Sequence, residues 1–519
     1  MSHENEGVRV KPRVARSKHI FVAIAIALLG FVGLGSWAVA SPVGSSPDDD
    51  YHLVSIWCAW GDREGLCEPS VFEGERRVPH ELVQWSRCYL DDSMQSGNCS
   101  VSSKLASTSR GDFANNYPPV YYRAMGVFAS DNVQLSTLAI RLTNAALFVG
   151  AVSILLALLR PGQRGPLFWS VAVGLVPLGM FIVPSINPSS WAILSGLTVW
   201  LAITGFFTAT SMWRRIGLGA FAIIAAFLGS GARGDAGIYA AVAAGAAAIL
   251  TFEPTRAWFR RLALPVAIVA IGAAFFLTTG NSTSYASAGV AQTQTGAGTA
   301  SSSWPLVIEN LTLTPSLWAG SLGTWGLGWF EVVLPQTVSI VMIGAFSALA
   351  FRGLRVLSKR KAITLALLLL ALFVVPGYIL YGLQILVGTE VQPRYILPLV
   401  LMSIGVATYG FTRDDLGLTR VQAIVLFAGV AFANSLALYT TMRRYLTGTD
   451  YTGLNLNSNV EWWWATPITP MAVWLLGSAA FGLCLLGAFL FLRSRQSSLV
   501  PMAIPDTGTE AQPAETPVR

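Results

Sequence analysis

Long runs of apolar residues, separated by polar segments, follow one another along most of this chain. A helix needs about 20 predominantly apolar residues to cross a hydrocarbon core about 30 Å thick. Twelve runs near that length occur, at residues 19–40, 134–158, 168–184, 191–210, 216–230, 236–252, 262–279, 337–351, 362–387, 394–411, 421–440 and 469–492. The pattern predicts an all-α polytopic membrane protein with about 12 transmembrane helices, within a range of about 11 to 13.

Two of the intervening polar segments are long, and the others are short. The first is rich in charge and is expected to form short helices. The second begins with a Gly-, Ser- and Thr-rich stretch to residue 303, which is expected to be mobile, and then becomes aromatic, as interfacial segments do. The predicted organisation is a basic N-terminus (1–18), a first transmembrane helix (19–40), a long loop (41–133), helices two to seven (134–279), a second long loop (280–336), helices eight to twelve (337–492) and a disordered tail (493–519).

Composition supports a membrane protein. Hydrophobic residues make up 53% of the chain and charged residues 12%, which is about half the charged share of soluble domains. The mean hydropathy of +0.56 is too high for a protein whose whole surface contacts water. These values exclude a soluble cytosolic enzyme, a collagen-like chain and an intrinsically disordered protein.

The net charge of +7 is explained by topology. Most Lys and Arg residues lie in the N-terminus and in alternate short loops, and such loops face the cytoplasm in membrane proteins. This places both termini in the cytoplasm and both long loops outside, in a multi-pass protein of a bacterial plasma membrane. No nucleic-acid partner is predicted from the charge.

The first apolar run shares one feature with cleavable signal peptides. Ala38-Val39-Ala40 is similar to a signal-peptidase site. The apolar stretch from Ile20 to Ala40 is longer than the core of a typical signal peptide, however. A retained membrane anchor is therefore the favoured interpretation, and the loop that follows lies outside in either case.

Four of the five cysteines lie in the first long loop, namely Cys58, Cys67, Cys88 and Cys99, whereas Cys484 lies in a predicted helix. Cysteines confined to one exported loop indicate two disulfides formed in an oxidising compartment. Pairing of Cys58 with Cys67 and of Cys88 with Cys99 is the simplest of the three possible connectivities.

An acidic cluster follows the first predicted helix, and it consists of Asp48, Asp49, Asp50 and the nearby His52. Adjacent carboxylates repel one another, which can raise the pKa of one of them. Asp49 and His52 would share a face of a helical turn, an arrangement that suits a general base. Carboxylate oxygens could also bind a divalent metal such as Mg²⁺ or Mn²⁺. The alternative is a solvated acidic start of a helix.

Three arginines are placed where an unpaired charge is costly. Arg141 lies inside the second predicted helix, Arg233 between the fifth and sixth, and Arg394 at the outer edge of the tenth. An arginine at mid-helix costs about 2.5–3.5 kcal/mol on insertion scales, so it needs a partner or a ligand. Asp235 is a possible ion-pair partner for Arg233. Arg394 is placed to bind a phosphate, whether of a substrate or of a lipid headgroup.

Several polar and aromatic side chains are also predicted at the outer edge of the bundle. Each could be a structural turn or an interfacial anchor, or could contact a substrate. These residues are Tyr117, Tyr121, Asn187, Trp329, Gln392 and Tyr395.

Six short motifs occur in a fixed order, and they are Asp48-Asp49-x-x-His52, Tyr117-Pro-Pro-x-Tyr-Tyr, Ser185-Ile-Asn-Pro, Ala232-Arg-Gly-Asp, Gly326-Leu-Gly-Trp and Gln392-x-Arg-Tyr-x-x-Pro. From about residue 20 to 410 this order resembles a bacterial family common in actinobacteria, the predicted membrane proteins of domain of unknown function 2142. That family in turn resembles the GT-C glycosyltransferase superfamily.

The resemblance implies an enzyme of cell-wall biogenesis. Such an enzyme would move a sugar from a polyprenyl-phosphate-linked donor to a glycan or lipid acceptor at the outer leaflet, among membrane lipids. An acidic residue of the first outer loop would be the base, and Asp49 matches that position best, with Asp48 and His52 beside it. Arg394 and Arg233 would hold the lipid phosphate. Many relatives have Glu at the position of Asp49 and an apolar residue at the position of Asp50, so which carboxylate acts stays open.

Two other functions are alternatives to the transferase. A transporter or flippase of a lipid-linked glycan would bind its substrate near the midplane, between related halves of the chain. No internal repeat is evident, and the ionisable residues gather at one face. A non-catalytic scaffold of an envelope-synthesis complex would bind its partner through the disulfide-bearing loop.

Overall fold

The structure is a computed structural model that describes residues 13–84, 87–99, 104–279, 304–388, 391–465 and 467–497. The predicted mobile stretch to residue 303 and most of the predicted disordered tail lie outside these residues.

The described part of the chain is dominated by helices. In chain order they are α1 (Arg13–Val39), α2 (Asp49–Trp57), α3 (His80–Gln84), α4 (Arg87–Leu90), α5 (Pro119–Met125), α6 (Val133–Leu158), α7 (Arg164–Gly174), α8 (Leu178–Ile182), α9 (Ser189–Thr208), α10 (Met212–Ala232), α11 (Ala236–Leu250), α12 (Arg256–Arg261), α13 (Ala263–Thr278), α14 (Trp304–Leu313), α15 (Pro315–Ala319), α16 (Gln336–Leu354), α17 (Lys359–Leu383), α18 (Pro393–Thr408), α19 (Arg420–Thr447) and α20 (Pro470–Ser497).

Nine helices among the described residues are long and apolar enough to cross a membrane, with α12 and α13 together forming one of them. Two shorter apolar helices, α11 and α18, correspond to two further predicted segments. The predicted helix 168–184 is divided into α7 and α8, which are separated around Pro177, a residue without a backbone N–H. These elements account for the twelve predicted segments, and they confirm an all-α, multi-pass membrane protein.

Two helices form the centre of the bundle. Of the most apolar 18 residues of α9, 89% are buried inside the protein, whereas only 22% of the corresponding residues of α1 are buried. Nearly every residue of α18 is buried as well. The helix α9 contacts α10 and α11, and α18 contacts α7, α9, α16 and α17. The first residues of α9 and α18 are therefore held in fixed positions at one end of the bundle.

A small antiparallel sheet lies in the segment between α1 and α6, where only short helices were predicted. Its register pairs Arg77 with Ser107, so that β2 lies in the middle. The strands are β1 (Glu68–Pro69), β2 (Arg76–Pro79) and β3 (Leu105–Thr108). The sequence did not reveal the sheet because strands of two to four residues are too short to show an alternating pattern.

The two predicted disulfides are present in this segment. Cys58 is bonded to Cys67 and Cys88 to Cys99, with Cα atoms 5.3 and 6.2 Å apart. Each bond closes a short loop, which restricts the segment to fewer conformations. A disulfide-bearing loop after the first helix is thus confirmed.

Arg444, near the end of α19, joins the same segment to the bundle. Its guanidinium donates hydrogen bonds to the backbone carbonyls of Tyr89, Asp92 and Gln95, at 2.7, 3.1 and 2.8 Å. We call the end of the bundle that carries the described residues between 41 and 132 the loop face. The three hydrogen bonds of Arg444 hold the segment on the loop face.

Basic residues of the short loops gather at the opposite end. Lys361 donates to the carbonyls of Gly353, Val356 and Tyr409, at 2.7, 2.9 and 2.8 Å, and Arg352 bonds the backbone there too. The described parts of the predicted outer segments and of the predicted inner segments therefore lie at opposite ends of the helical bundle. Which end faces the cytoplasm stays a prediction from charge.

Candidate functional site

A sharp turn connects α1 to α2 and places three successive carboxylates differently. Asp48 has a left-handed backbone conformation, with φ 62° and ψ 21°, which Asp adopts more readily than most residues. The backbone N–H of Ser46 donates to the Asp49 carboxylate at 3.1 Å, and the Ser46 hydroxyl donates to it as well. The Asp48 side chain caps no backbone N–H. Its carboxylate instead contacts Arg394 of the helical bundle.

Asp48 forms an ion pair with Arg394, the second residue of α18. The Nη2 atom of Arg394 donates to Oδ2 of Asp48 at 2.5 Å. The Asp48 side chain keeps 35% of its surface exposed, whereas the Arg394 side chain keeps only 2%. Burial alone would raise the pKa of Asp48, but the charge and hydrogen bond of Arg394, together with nearby charges, lower it below its usual value. Asp48 is therefore an ionised, accessible carboxylate.

Asp49, which the sequence matched best to a catalytic base, is fully buried. Its nearest cation is Arg141, with Nη2 and Oδ2 3.8 Å apart. Burial raises the pKa of Asp49 to about 6, against the lowering effects of Arg141 and of the hydrogen bonds from Ser46. Arg141 also donates to the carbonyls of Ser41 and Pro42, both at 2.7 Å. The Asp49 carboxylate thus lies among groups that hold the end of α1.

Asp50 faces a third arginine. Its two carboxylate oxygens accept hydrogen bonds from Arg110 at 3.0 and 2.9 Å, and the same guanidinium lies 3.9 Å from Asp48. The three carboxylates therefore point to three different guanidinium groups, so they do not form one ligand set for Mg²⁺ or Mn²⁺. No group of three or more His, Cys, Asp or Glu side chains suited to a metal occurs within the described ranges.

Arg394 has hydrogen-bonding capacity left over. Its Nε and Nη1 atoms are buried and have no hydrogen-bond partner among the described residues. A buried donor without a partner is costly, and such a donor is expected to meet a ligand or water. The guanidinium lies at the edge of a largely apolar hollow. The hollow is lined by Phe181, Ile182, Trp325, Phe330, Gln392 and Arg394, among others.

A second guanidinium stacks on the neighbouring tyrosine. The ring centroid of Tyr395 is 5.0 Å from Cζ of Arg394 and 4.6 Å from Cζ of Arg233. Asp235 accepts two hydrogen bonds from Arg233, at 2.9 and 2.8 Å, and Ser189 at the start of α9 accepts a third at 3.1 Å. Both arginines are ion-paired, Arg233 with Asp235 and Arg394 with Asp48. Arg394 keeps Nε and Nη1 without a partner among the described residues, so it has the greater capacity to bind an anion.

His52 lies one helical turn after Asp48 and is almost fully buried. Its Nδ1 atom is hydrogen-bonded to the hydroxyl of Tyr122 at 2.8 Å, and its Nε2 atom has no partner among the described residues. The ring also contacts Tyr117, with centroids 5.5 Å apart. Burial lowers the pKa of His52 to about 3, so the imidazole is neutral at physiological pH.

The remaining predicted residues support the turn or the interior. Asn187 donates to the carbonyl of Pro47 at 2.8 Å, and Trp329 donates to that of Gly44 at 3.0 Å. Both hold the backbone that carries Asp48. The hydroxyl of Tyr121 is buried and accepts a hydrogen bond from Asn144 at 3.1 Å.

The structure thus brings Asp48, His52, Tyr117, Arg233, Arg394 and Tyr395 together on the loop face. Sequence reasoning missed Arg110 and Tyr122. Arg110 follows Asp50 by 60 residues, and nothing in the local sequence indicates that the two are paired. Tyr122 was visible in the Tyr-Pro-Pro-x-Tyr-Tyr motif, but the motif does not indicate that it contacts His52.

Comparisons with known proteins support the assignment of this chain as a membrane protein. The model of the family described as predicted membrane protein (DUF2142) matches residues 20–403, and the chain belongs to this family. No curated protein matches the chain. One similar solved structure is that of ArnT from Cupriavidus metallidurans bound to undecaprenyl phosphate, with 13% identity and a TM-score of 0.42. The match covers 92% of this chain and 79% of that one, and at this TM-score it carries no argument about function.

Proposed function

We propose that this member of the DUF2142 family is a membrane glycosyltransferase. It would move a sugar from a polyprenyl-phosphate-linked donor to a glycan or lipid acceptor of the cell envelope, at the outer face of the membrane. The observation that carries the proposal is the pair of Asp48 and Arg394, an accessible carboxylate beside a buried guanidinium whose Nε and Nη1 meet no hydrogen-bond partner in the described part of the chain.

The two side chains supply complementary functions for a single displacement. The acceptor hydroxyl oxygen attacks the anomeric carbon of the sugar while its proton passes to the Asp48 carboxylate. The bond between the anomeric carbon and the phosphate oxygen breaks, and the lipid phosphate leaves with the electron pair. Arg394 stabilises the negative charge that grows on that phosphate, because its Nε and Nη1 groups are already in place and buried. Inversion at the anomeric carbon follows from a single step.

The environment of Arg394 fits a lipid phosphate. The small hollow beside it is bordered by apolar and aromatic side chains such as Phe181, Trp325 and Phe330, which suit only the part of an isoprenoid chain next to the phosphate. The stacked Tyr395, with Arg233 and its partner Asp235 behind it, forms the other side of the guanidinium. We assign Gln392, Tyr395 and Arg233 to the donor side of the site.

Asp48 rather than Asp49 is assigned as the base. A base must lie within hydrogen-bond reach of the hydroxyl from which it takes a proton. Asp48 is accessible, whereas Asp49 has no exposed surface and faces Arg141. Asp49, His52 and Tyr117 are assigned to holding the turn and the shape of the site.

The decisive experiment assays sugar transfer from radiolabelled polyprenyl-phosphate sugars by the purified protein in lipid nanodiscs. Asp48→Asn should lower transfer about 10²- to 10⁴-fold, the range for loss of a general base. Arg394→Lys should also lower it strongly, because Lys cannot replace the shape and donor number of a guanidinium. Asp50→Asn is the matched control, with a small effect, because that carboxylate pairs with Arg110.

Each contrary result has a clear meaning. Full transfer by Asp48→Asn would overturn the base assignment. Selective loss in folded Asp49→Asn would move the role to Asp49. If the wild-type protein translocates lipid-linked sugars in vesicles and forms no covalent product with any donor or acceptor, the transferase proposal is wrong and a flippase is the better description.

A further inference from the structure

A polar cavity lies on the loop face, apart from the hollow beside Arg394. One wall is formed by β2 and another by α5, and the Cys58–Cys67 disulfide borders it. The side chains that matter for its chemistry are Arg76, Asp112, Phe113, Asn115, Tyr122 and Arg123. Because these residues lie outside the helices that can span a membrane, a water-soluble ligand rather than a lipid chain is expected there.

Several polar groups of the cavity are available to a ligand. Arg123 is exposed, and the structure shows no hydrogen bond or ion pair from its side chain to any described residue. The Asn115 side chain is exposed and likewise shows no hydrogen bond within the described ranges. Asp112 uses Oδ1 to accept hydrogen bonds from Tyr51 at 3.2 Å and from the backbone of Asn116 at 2.6 Å. The backbone N–H of Tyr117 lies 3.2 and 3.3 Å from its two carboxylate oxygens, so the acceptor capacity left for a ligand hydroxyl is mainly on Oδ2.

This combination is suited to hydroxyl groups. A sugar hydroxyl both donates and accepts hydrogen bonds, and an amide beside a carboxylate and guanidinium groups offers both kinds of partner. Phe113 adds an apolar ring, against which the C–H face of a sugar can pack. Arg76 already pairs with Asp62, so Arg123 is the unpaired cation of the lining, which favours a ligand that carries an anionic group.

The cavity is connected to the proposed base by two short chains of contacts. Tyr122, which lines the cavity, is bonded to His52 at 2.8 Å. Asp112 accepts a hydrogen bond from Tyr51, and Cζ of Arg110 lies 5.9 Å from the Tyr51 ring centroid. Arg110 in turn lies 3.9 Å from Asp48. Two side chains, those of Tyr51 and Arg110, thus lie between Asp112 of the cavity and Asp48, so the cavity and the proposed base are neighbouring sites.

We propose that this cavity is a binding site for an acidic glycan, which it holds by sugar units remote from the reacting hydroxyl. Arg123 binds the anionic group, Asn115 and Asp112 bind hydroxyls, and Phe113 packs against a ring. The binding itself stands without catalysis. Only the further statement that this glycan is the acceptor rests on the proposed transferase function.

Binding is tested on the full-length protein in nanodiscs with two defined probes, hexagalacturonate and neutral maltohexaose, by isothermal titration calorimetry. Hexagalacturonate should bind at least tenfold more tightly than maltohexaose. Arg123→Ala should weaken hexagalacturonate at least tenfold, and since the side chain is exposed, this variant should fold. Arg77→Ala is the matched control, because Arg77 follows Arg76 on β2, pairs with Glu68 and does not line the cavity.

The outcomes separate this site from the proposed catalysis. Asp48→Asn should bind hexagalacturonate as the wild type does, even where transfer is lost. Failure of the transferase assay with retained, Arg123-dependent binding would remove the acceptor role and keep the binding site. Absence of hexagalacturonate binding, equal affinity for both probes, or equal loss in Arg123→Ala and Arg77→Ala would overturn the proposal.

Discussion

Three successive aspartates have three different electrostatic environments. Asp48 stays ionised beside Arg394, Asp49 is buried with its pKa raised to about 6, and Asp50 is held by Arg110. Solvent exposure and the nearest guanidinium determine what each carboxylate can do, and adjacent residues in sequence differ completely in both. A chemical role assigned to such a cluster therefore has to be assigned to one carboxylate at a time.

His52 gives a prediction about stability in acid. Its pKa is about 3 in the folded protein, and that of an unfolded His is about 6.5, so the unfolded chain takes up the proton first as the pH falls. Stability from this group is thus present above about pH 6.5 and is lost progressively toward pH 3, by at most about 1.4 kcal/mol per pH unit. His52→Gln should show a smaller drop in apparent melting temperature between pH 7 and 4.5 than the wild type.

Scanning fluorimetry in detergent at one scan rate measures this difference. His19→Gln serves as the control, because His19 is exposed near the start of α1 and should keep the wild-type pH dependence. An unchanged acid shift in His52→Gln would show that the imidazole is not buried in its neutral form.

The candidate site could be located from sequence but not resolved to single atoms. Arg233, Arg394 and the aspartates stood out because charges near transmembrane helices are rare and need partners. The choice among the aspartates depends on the left-handed conformation of Asp48 and on the hydrogen bonds of Ser46. Neither is encoded in a pattern that one sequence reveals. Contacts such as that of Asp50 with Arg110 depend on folding across 60 residues.

The membrane-spanning helices could be recognised from sequence because the length of each apolar run is close to the length needed to cross the hydrocarbon core. Apolar length identified the long helices, and it also indicated α11 and α18, although these are shorter than a full span. Apolarity alone did not show that α7 and α8 are separate, since the break depends on Pro177. The three short strands had no detectable period. Helix existence was therefore predictable, and helix breaks and small strands were not.

Close packing of α11 against α13 depends on two glycines. A Cβ atom added to Gly237 would lie 2.5 Å from the carbonyl oxygen of Gly272, a backbone atom that cannot move alone. Gly237→Ala should therefore push the helices apart and lower the apparent melting temperature by several degrees, since overpacking typically costs about 1–3 kcal/mol. Gly245→Ala on the same helix should cause no loss, because nothing lies within 4 Å of its added Cβ.

Both variants are compared with the wild type by scanning fluorimetry and by their yield of monodisperse protein. Equal melting temperatures for Gly237→Ala and Gly245→Ala would mean that the two helices do not approach as closely as the structure shows.

At the scale of the whole molecule, the central helices determine where the site lies. The buried α9 and α18 both begin at the loop face, which brings Ser189 and Arg394 to the same end of the bundle. The segment after α1 is fixed over that end by Asn187, Trp329 and Arg444. Residues more than 300 positions apart thus meet because two helices share a direction and one segment covers their ends.

The proposed function requires that the loop face lies outside the cell, and this orientation can be measured. Basic residues gather at the opposite end, and positively charged segments are retained in the cytoplasm, so the disulfide-bearing segment should be exported. In a Cys484→Ala background, the exposed Glu73 and Arg355 are replaced individually by Cys, and intact cells are treated with a membrane-impermeant maleimide. Glu73→Cys should react at once, and Arg355→Cys only after permeabilisation. The reverse result would place Asp48 and Arg394 in the cytoplasm, where neither the disulfides nor a transferase of the outer leaflet would be expected.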